Sequence, residues 1–115
     1  MKKTVLIIDD FENSLFATGF SIQQAWYNIL KAKSGKEALA ILNSNPSVNL
    51  VISDYNMPEM NGLQLVTQIK NNPNYQNIPI FILSTETKEE VRNKVIQAGA
   101  SIWIKKPFKP VKLIE

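Results

Sequence analysis

Three aspartates carry the chemistry this sequence can do. Asp9 and Asp10 close the apolar run Val5-Leu6-Ile7-Ile8, and Asp54 follows Leu50-Val51-Ile52-Ser53. Apolar runs rich in β-branched residues read as buried strands. A single aspartate after a strand commonly caps a turn or the next helix. Three after two strands mean something else if those strands are parallel neighbours, because the carboxylates then meet at one edge of a sheet. Like charges at close range repel, so such a cluster calls for a compensating cation. Oxygen-only ligands favour a hard ion such as Mg2+. Beyond Asp54 the composition changes to Tyr55-Asn56-Met57-Pro58-Glu59-Met60-Asn61-Gly62, a loop bracketed by proline and glycine.

Two further polar features end apolar runs. Ser84 and Thr85 follow Ile80-Phe81-Ile82-Leu83, and Lys106 follows the run around Ser101 to Ile104. Taken singly, Ser84-Thr85 could cap a helix starting near Lys88, and Lys106 could be solvated. Together with the aspartates they are the parts needed to move a phosphoryl group onto a carboxylate. Asp54 would be the nucleophile, a metal would span nucleophile and phosphate, and hydroxyl and ammonium groups would offset charge on the phosphoryl oxygens.

The elements that must position these residues alternate along the chain. Strands are expected at Lys3 to Ile8, around Asn28 to Ala32, at Leu50 to Ser53, at Ile80 to Leu83 and at Ser101 to Ile104. Helices are expected from Asn13 or Ser14 to about Gln24, from Gly35 to Asn43, from Gly62 to about Asn71, and from Lys88 to Ala98, with Gly99 as a C-cap. Val91, Val95, Ile96 and Ala98 should face inward. The first helix has the poorest pattern, with Gly19 inside it; Phe16 and Phe20 are spaced for one face and read as core before interface. A last helix should begin near Lys109-Pro110. Strands separated by helical patterns mean parallel βαβ units with right-handed crossovers. The expected fold is α/β, a doubly wound five-stranded parallel sheet in the order 2-1-3-4-5. Its switch point lies between the strands carrying Asp9-Asp10 and Asp54, where open α/β sheets bind ligands.

At 115 residues the chain should be one domain, residues 1–115. No apolar run approaches the roughly 20 residues needed to span a membrane, and Met1-Lys2-Lys3-Thr4 leads straight into a strand without the pattern of a signal peptide. A cytoplasmic location is the expectation. Cysteine and histidine are both absent, which excludes a disulfide framework, thiolate chemistry and the usual general base. The net charge is +3, but only Arg92 among thirteen basic residues is arginine, and no basic run is interleaved with aromatics. That balance reads as a solvated surface rather than a nucleic-acid footprint.

The sequence resembles the receiver domain of two-component response regulators, especially the small single-domain chemotaxis type. The resemblance runs through VLIIDDF (5–11), LVISDYNMPEMNGLQL (50–65), IPIFILSTE (78–86) and AGASIWIKKPF (98–108). It implies a flavodoxin-like receiver fold with Asp54 as phosphoacceptor, taking its phosphoryl group from a phosphohistidine on a sensor histidine kinase or histidine phosphotransfer protein. It further implies that Asp9 and Asp10 hold Mg2+, Asp10 directly and Asp9 through water, with the backbone carbonyl of Asn56 as another ligand. Lys106, before Pro107, matches the phosphate-contacting lysine. Ser84 matches the switch hydroxyl, and Thr85 follows with a backbone donor. Trp103 sits where tyrosine or phenylalanine is commoner and where the family moves an aromatic inward. It could instead be a surface tryptophan covering apolar area. The resemblance places the output face on the fourth helix, the fifth strand and the last helix, and kinase specificity on the first helix.

The resemblance implies a signalling domain, with self-catalysed transfer and slow autodephosphorylation rather than an independent substrate. Alternatives are a Mg2+-dependent aspartyl-phosphate hydrolase, a flavodoxin-like cofactor binder and a degenerate receiver acting only as a binding module. The hydrolases usually carry a second aspartate where this chain has Asn56, and Asp9-Asp10-Phe11-Glu12 would repel a cofactor phosphate. Val111 to Glu115 leaves room only for a shortened last helix, as in a short single-domain regulator or a piece of a longer protein. The sequence shows no effector, so output is expected through binding, to another protein or to a missing effector domain. The sequence leaves open a monomer or a phosphorylation-dependent dimer.

Overall fold

Burial on both sides of a parallel sheet is what makes the strands of this chain read as unbroken apolar runs. The computed structural model describes residues 3–24, 27–44 and 47–106. It contains β1 (Thr4–Ile8), α1 (Glu12–Gln23), β2 (Asn28–Ala32), α2 (Gly35–Ser44), β3 (Val48–Asp54), α3 (Gly62–Lys70), β4 (Ile80–Ser84), α4 (Glu89–Gln97) and β5 (Ile102–Lys105). The five strands pair in parallel in the order β2-β1-β3-β4-β5. The expected fold class and strand order are therefore observed. The last helix expected near Lys109-Pro110 lies outside the described residues.

Alternation along each strand divides the core in two. Leu6, Ile8, Val51, Ile80 and Ile82 pack with Leu42, Leu65 and Val95 from α2, α3 and α4. Val5, Ile7, Ile52 and Leu83 pack with Leu15 and Ile22 of α1 on the other face. Each fully buried aliphatic side chain contributes about 1.5–3 kcal/mol, so the sheet that carries the site edge is held from both sides.

Several boundaries and faces differ from the sequence expectation. β3 begins at Val48, two residues earlier than Leu50, and includes Asp54. Thr4 pairs with Val48 across a register shift, and the Asn49 side chain between accepts Thr4 N–H at 2.8 Å, so pairing with β1 extends the strand where composition does not. In α1 the buried residues are Leu15, Thr18, Gly19 and Ile22. Phe16 and Phe20 are not core: they are 64% and 54% exposed and stack on one another at 6.3 Å. Leu15 and Ile22 supply the apolar part of the inward face, and between them a glycine sits where Lys31 crosses: a Cβ on Gly19 would come within 2.9 Å of the Lys31 stem. In α4 Val95 is buried, whereas Ile96 faces solvent.

Two glycines answer to geometry. Gly99 has φ of 122°, and after it the chain closes with Gly99 N–H on Ile96 O and Ala100 N–H on Val95 O. That is a Schellman ending, with Ala98 as the capping residue and Gly99 just beyond it. Gly62 opens α3 against the loop from β3, where a Cβ would lie 3.0 Å from Tyr55 Cα. Asn61 caps α3 in a reciprocal arrangement with Gln64, each side chain accepting the other's backbone N–H.

Candidate functional site

The site begins where β1 and β3 stop. Asp9 N–H donates to Ala32 O at 3.1 Å, extending the β1–β2 ladder by one residue and fixing the backbone of Asp9. Its carboxylate turns back, Oδ1 accepting Phe11 N–H at 3.0 Å, which starts the turn into α1. Asp9 is buried and Asp10 exposed. Asp54 is the last residue of β3, paired with Leu83 of β4. Directly after it, Tyr55 N–H donates to Leu83 O at 2.9 Å and Gly62 N–H donates to Tyr55 O at 2.8 Å. Between those bonds the loop makes a tight turn at Glu59, φ 69°, closed by Met60 N–H on Pro58 O.

Asp9, Asp10 and Asp54 each bring a carboxylate oxygen within 4.8 Å of the others. Lys106 is set down beside them by β5: its N–H donates to Ser84 O at 2.8 Å, and its Nζ donates to Asp54 Oδ1 at 2.6 Å. The same Nζ lies 3.9 Å from Asp9 Oδ2. One ammonium against three carboxylates leaves the cluster negative. Burial, above all, pushes the Asp9 carboxyl above its ordinary range; the bond from Phe11 N–H opposes that, and the Asp54 charge adds to it. An all-oxygen, negatively charged and partly buried donor set fits a hard divalent cation.

Ser84 ends β4 on the neighbouring strand and is wholly buried. Its Oγ accepts Glu86 N–H at 2.9 Å. Thr85 and Asn56 are exposed in the loops that follow β4 and β3. The fold thus gathers the Asp9, Asp10 and Asp54 carboxylates into one cluster, with Lys106 on Asp54 and near Asp9, and sets Ser84, Thr85 and Asn56 at the same sheet edge. Trp103, in β5, is half-buried and packed against the larger core cluster, with its ring 5.6 Å from that of Tyr55 and tilted by 55°.

Two arrangements were not read from the sequence. Tyr55 touches Trp103, a contact for which an aromatic directly after the strand-ending Asp54 was the available signal. The Glu86 side chain ties down the approach to α4: its Oε1 accepts Thr87 N–H at 3.1 Å and Lys88 N–H at 3.0 Å.

A family model described as the response regulator receiver domain matches residues 5–115. The chain is 34% identical over 118 aligned positions to a chemotaxis protein CheY homolog of Campylobacter jejuni, covering 96% of this chain and 86% of that protein. It is 32% identical to the two-component response regulator ORR5 of Oryza sativa over 92% of this chain and 79% of that protein. Among solved structures, the chemotaxis protein CheY4 of Vibrio cholerae matches with a TM-score of 0.92 at 33% identity, over 99% of this chain and 94% of that one.

Proposed function

The chain belongs to the response regulator receiver domain family, and on that premise we propose that it accepts a phosphoryl group on Asp54 and signals through the change that follows. The observation that carries this reading is the Lys106 ammonium, 2.6 Å from Asp54 Oδ1, within a cluster of three carboxylates at one sheet edge. The family is a signalling family, so the reading needs a donor and a receiver of the signal rather than a small-molecule substrate.

The donor is a phosphohistidine on a histidine kinase or phosphotransfer protein. An oxygen of Asp54 attacks phosphorus; the P–O bond forms as the P–N bond breaks, and its electron pair stays on the departing imidazole. Asp54 is suited to the part because Tyr55 N–H on Leu83 O fixes its backbone at the strand end while Lys106 holds its carboxylate. Lys106 offsets charge on the phosphoryl oxygens, and Ser84 supplies a hydroxyl from the adjacent strand. Mg2+, held by Asp9, Asp10, Asp54 and the main-chain carbonyl of Asn56, would neutralise the converging negative charge. The product is a dianionic acyl phosphate with three acceptor oxygens. Contacts to Lys106 and Ser84 that exist only in that state shift the loops after β4 and β5. We take residues 1–115 as one such unit, working in the cytoplasm where phosphohistidine is made from ATP, with output to a binding partner or to a further domain.

The test is intact mass after incubation with acetyl phosphate. A single addition of about 80 Da by atomic mass, dependent on Mg2+ and lost in Asp54→Asn, is expected. An adduct retained in Asp54→Asn would place the acceptor elsewhere.

A further inference from the structure

We infer that Tyr55 couples the loop after Asp54 directly to Trp103, so that the β5 aromatic has a second input beside Ser84; this rests on the phosphoacceptor reading above. Register places the two routes side by side. Ser53, Ile82 and Trp103 stand in one row across β3, β4 and β5. Alternation puts Ser84 on the same face as Ile82 and Trp103, one step toward the site edge. Tyr55, two residues beyond Ser53, projects from the chain leaving β3 and reaches Trp103 across the end of β4, ring to ring at 5.6 Å.

The contact is built so that motion of the acceptor loop must reach it. Tyr55 is clamped at both ends of its peptide, by Leu83 O before it and by Gly62 N–H after it. A Cβ on Gly62 would sit 3.1 Å from the Tyr55 ring, so the start of α3 backs the ring. Both aromatics are half-buried and packed against the same core cluster, which gives them partners without enclosing them. A tilted pair of this kind is a preferred packing, and a packed contact changes by switching arrangement rather than by stretching. Adding a phosphoryl group one residue before Tyr55 therefore acts on Trp103 without passing through the Ser84 hydroxyl.

The experiment uses the full chain with Trp26→Phe, so that Trp103 is the sole indole, and loads it with Mg2+ and beryllofluoride, a phosphoryl analogue that bonds a carboxylate oxygen. Bound fluoride is followed by 19F NMR independently of indole emission. Tyr55→Leu is expected to keep the bound-fluoride signal while losing more than half of the Trp103 emission change. Tyr55→Phe keeps the change, and Ser84→Ala keeps a measurable part of it. A full emission change in Tyr55→Leu, or complete loss in Ser84→Ala with fluoride still bound, would overturn the coupling alone. No bound fluoride in the parent would overturn the phosphoacceptor reading, and the inference with it.

Discussion

Lys106 Nζ donates to Asp54 Oδ1 at 2.6 Å although 52 residues separate them. The pair exists because β5 is placed beside β4, and β4 beside β3, with Lys106 N–H anchored on Ser84 O. The ammonium is a quarter exposed and stands within 3.9 Å of a second carboxylate, Asp9. It thus occupies part of the electrostatic role that a divalent ion would fill.

Removing that ammonium should tighten metal binding while weakening phosphoryl transfer. A hydrogen bond to a charged group is worth about 1.5–3 kcal/mol net. With the bond gone and solvent screening admitted, Lys106→Met is expected to raise Mg2+ affinity roughly 5- to 30-fold, the equivalent of one to two kcal/mol. Titration calorimetry with Mg2+ alone measures the first effect, and the rate of mass gain from acetyl phosphate the second. Equal or weaker Mg2+ binding would show that Lys106 does not compete with the metal.

Asp9 predicts a pH dependence of the metal-free fold. Its carboxyl is raised from the ordinary value of 3.8, chiefly by burial. The folded state therefore binds more protons than the unfolded chain between 3.8 and the raised value, and stability falls as pH rises through that window. At neutral pH the ionised Asp9 is a cost. Asp9→Asn keeps an oxygen to accept Phe11 N–H and removes the charge, so in the presence of a chelator it should melt higher than the parent at pH 7. The gain should shrink as pH falls toward 3.8. A variant equally stable or less stable at pH 7 would mean that the lost attraction to Lys106 outweighs desolvation.

The strands and the acidic edge were legible in the sequence because a buried parallel strand has no polar face to interrupt it, and each run stops on a residue of different chemistry. Pairing and packing were less legible. Asn49 looks like loop but lies within β3 because Val48 before it already pairs with Thr4. The inward face of α1 was only partly legible, because Leu15 and Ile22 share it with Thr18 and Gly19 while Phe16 and Phe20 lie outside. Gly19 makes room for Lys31, whose ammonium lies 5.5 Å from the ring centre of the exposed Phe16. Lys106 was visible as a lysine after a strand, but its bond to Asp54 depends on strand order. The contact of Tyr55 with Trp103 depends on the same order and on a tilt between rings that no spacing encodes.

Glu86 joins the buried hydroxyl of Ser84 to the start of α4. Its N–H donates to Ser84 Oγ at 2.9 Å while its carboxylate accepts Thr87 N–H and the N–H of Lys88, the N-cap residue, a donor that the helix start leaves unpaired. Lys88 itself makes no side-chain capping bond; Glu86 fixes its backbone instead. Glu86→Ala should cost about 0.5–1.5 kcal/mol of stability, the net range for an intramolecular hydrogen bond, read by denaturant unfolding. It should also change the rate at which the acyl phosphate on Asp54 is lost, because the loop that holds Ser84 would no longer be tied to the helix. Glu86→Gln retains an acceptor oxygen and should recover most of the stability. If Glu86→Ala is less stable but loses phosphate at the parental rate, the carboxylate serves the helix alone and Ser84 is positioned by its own burial.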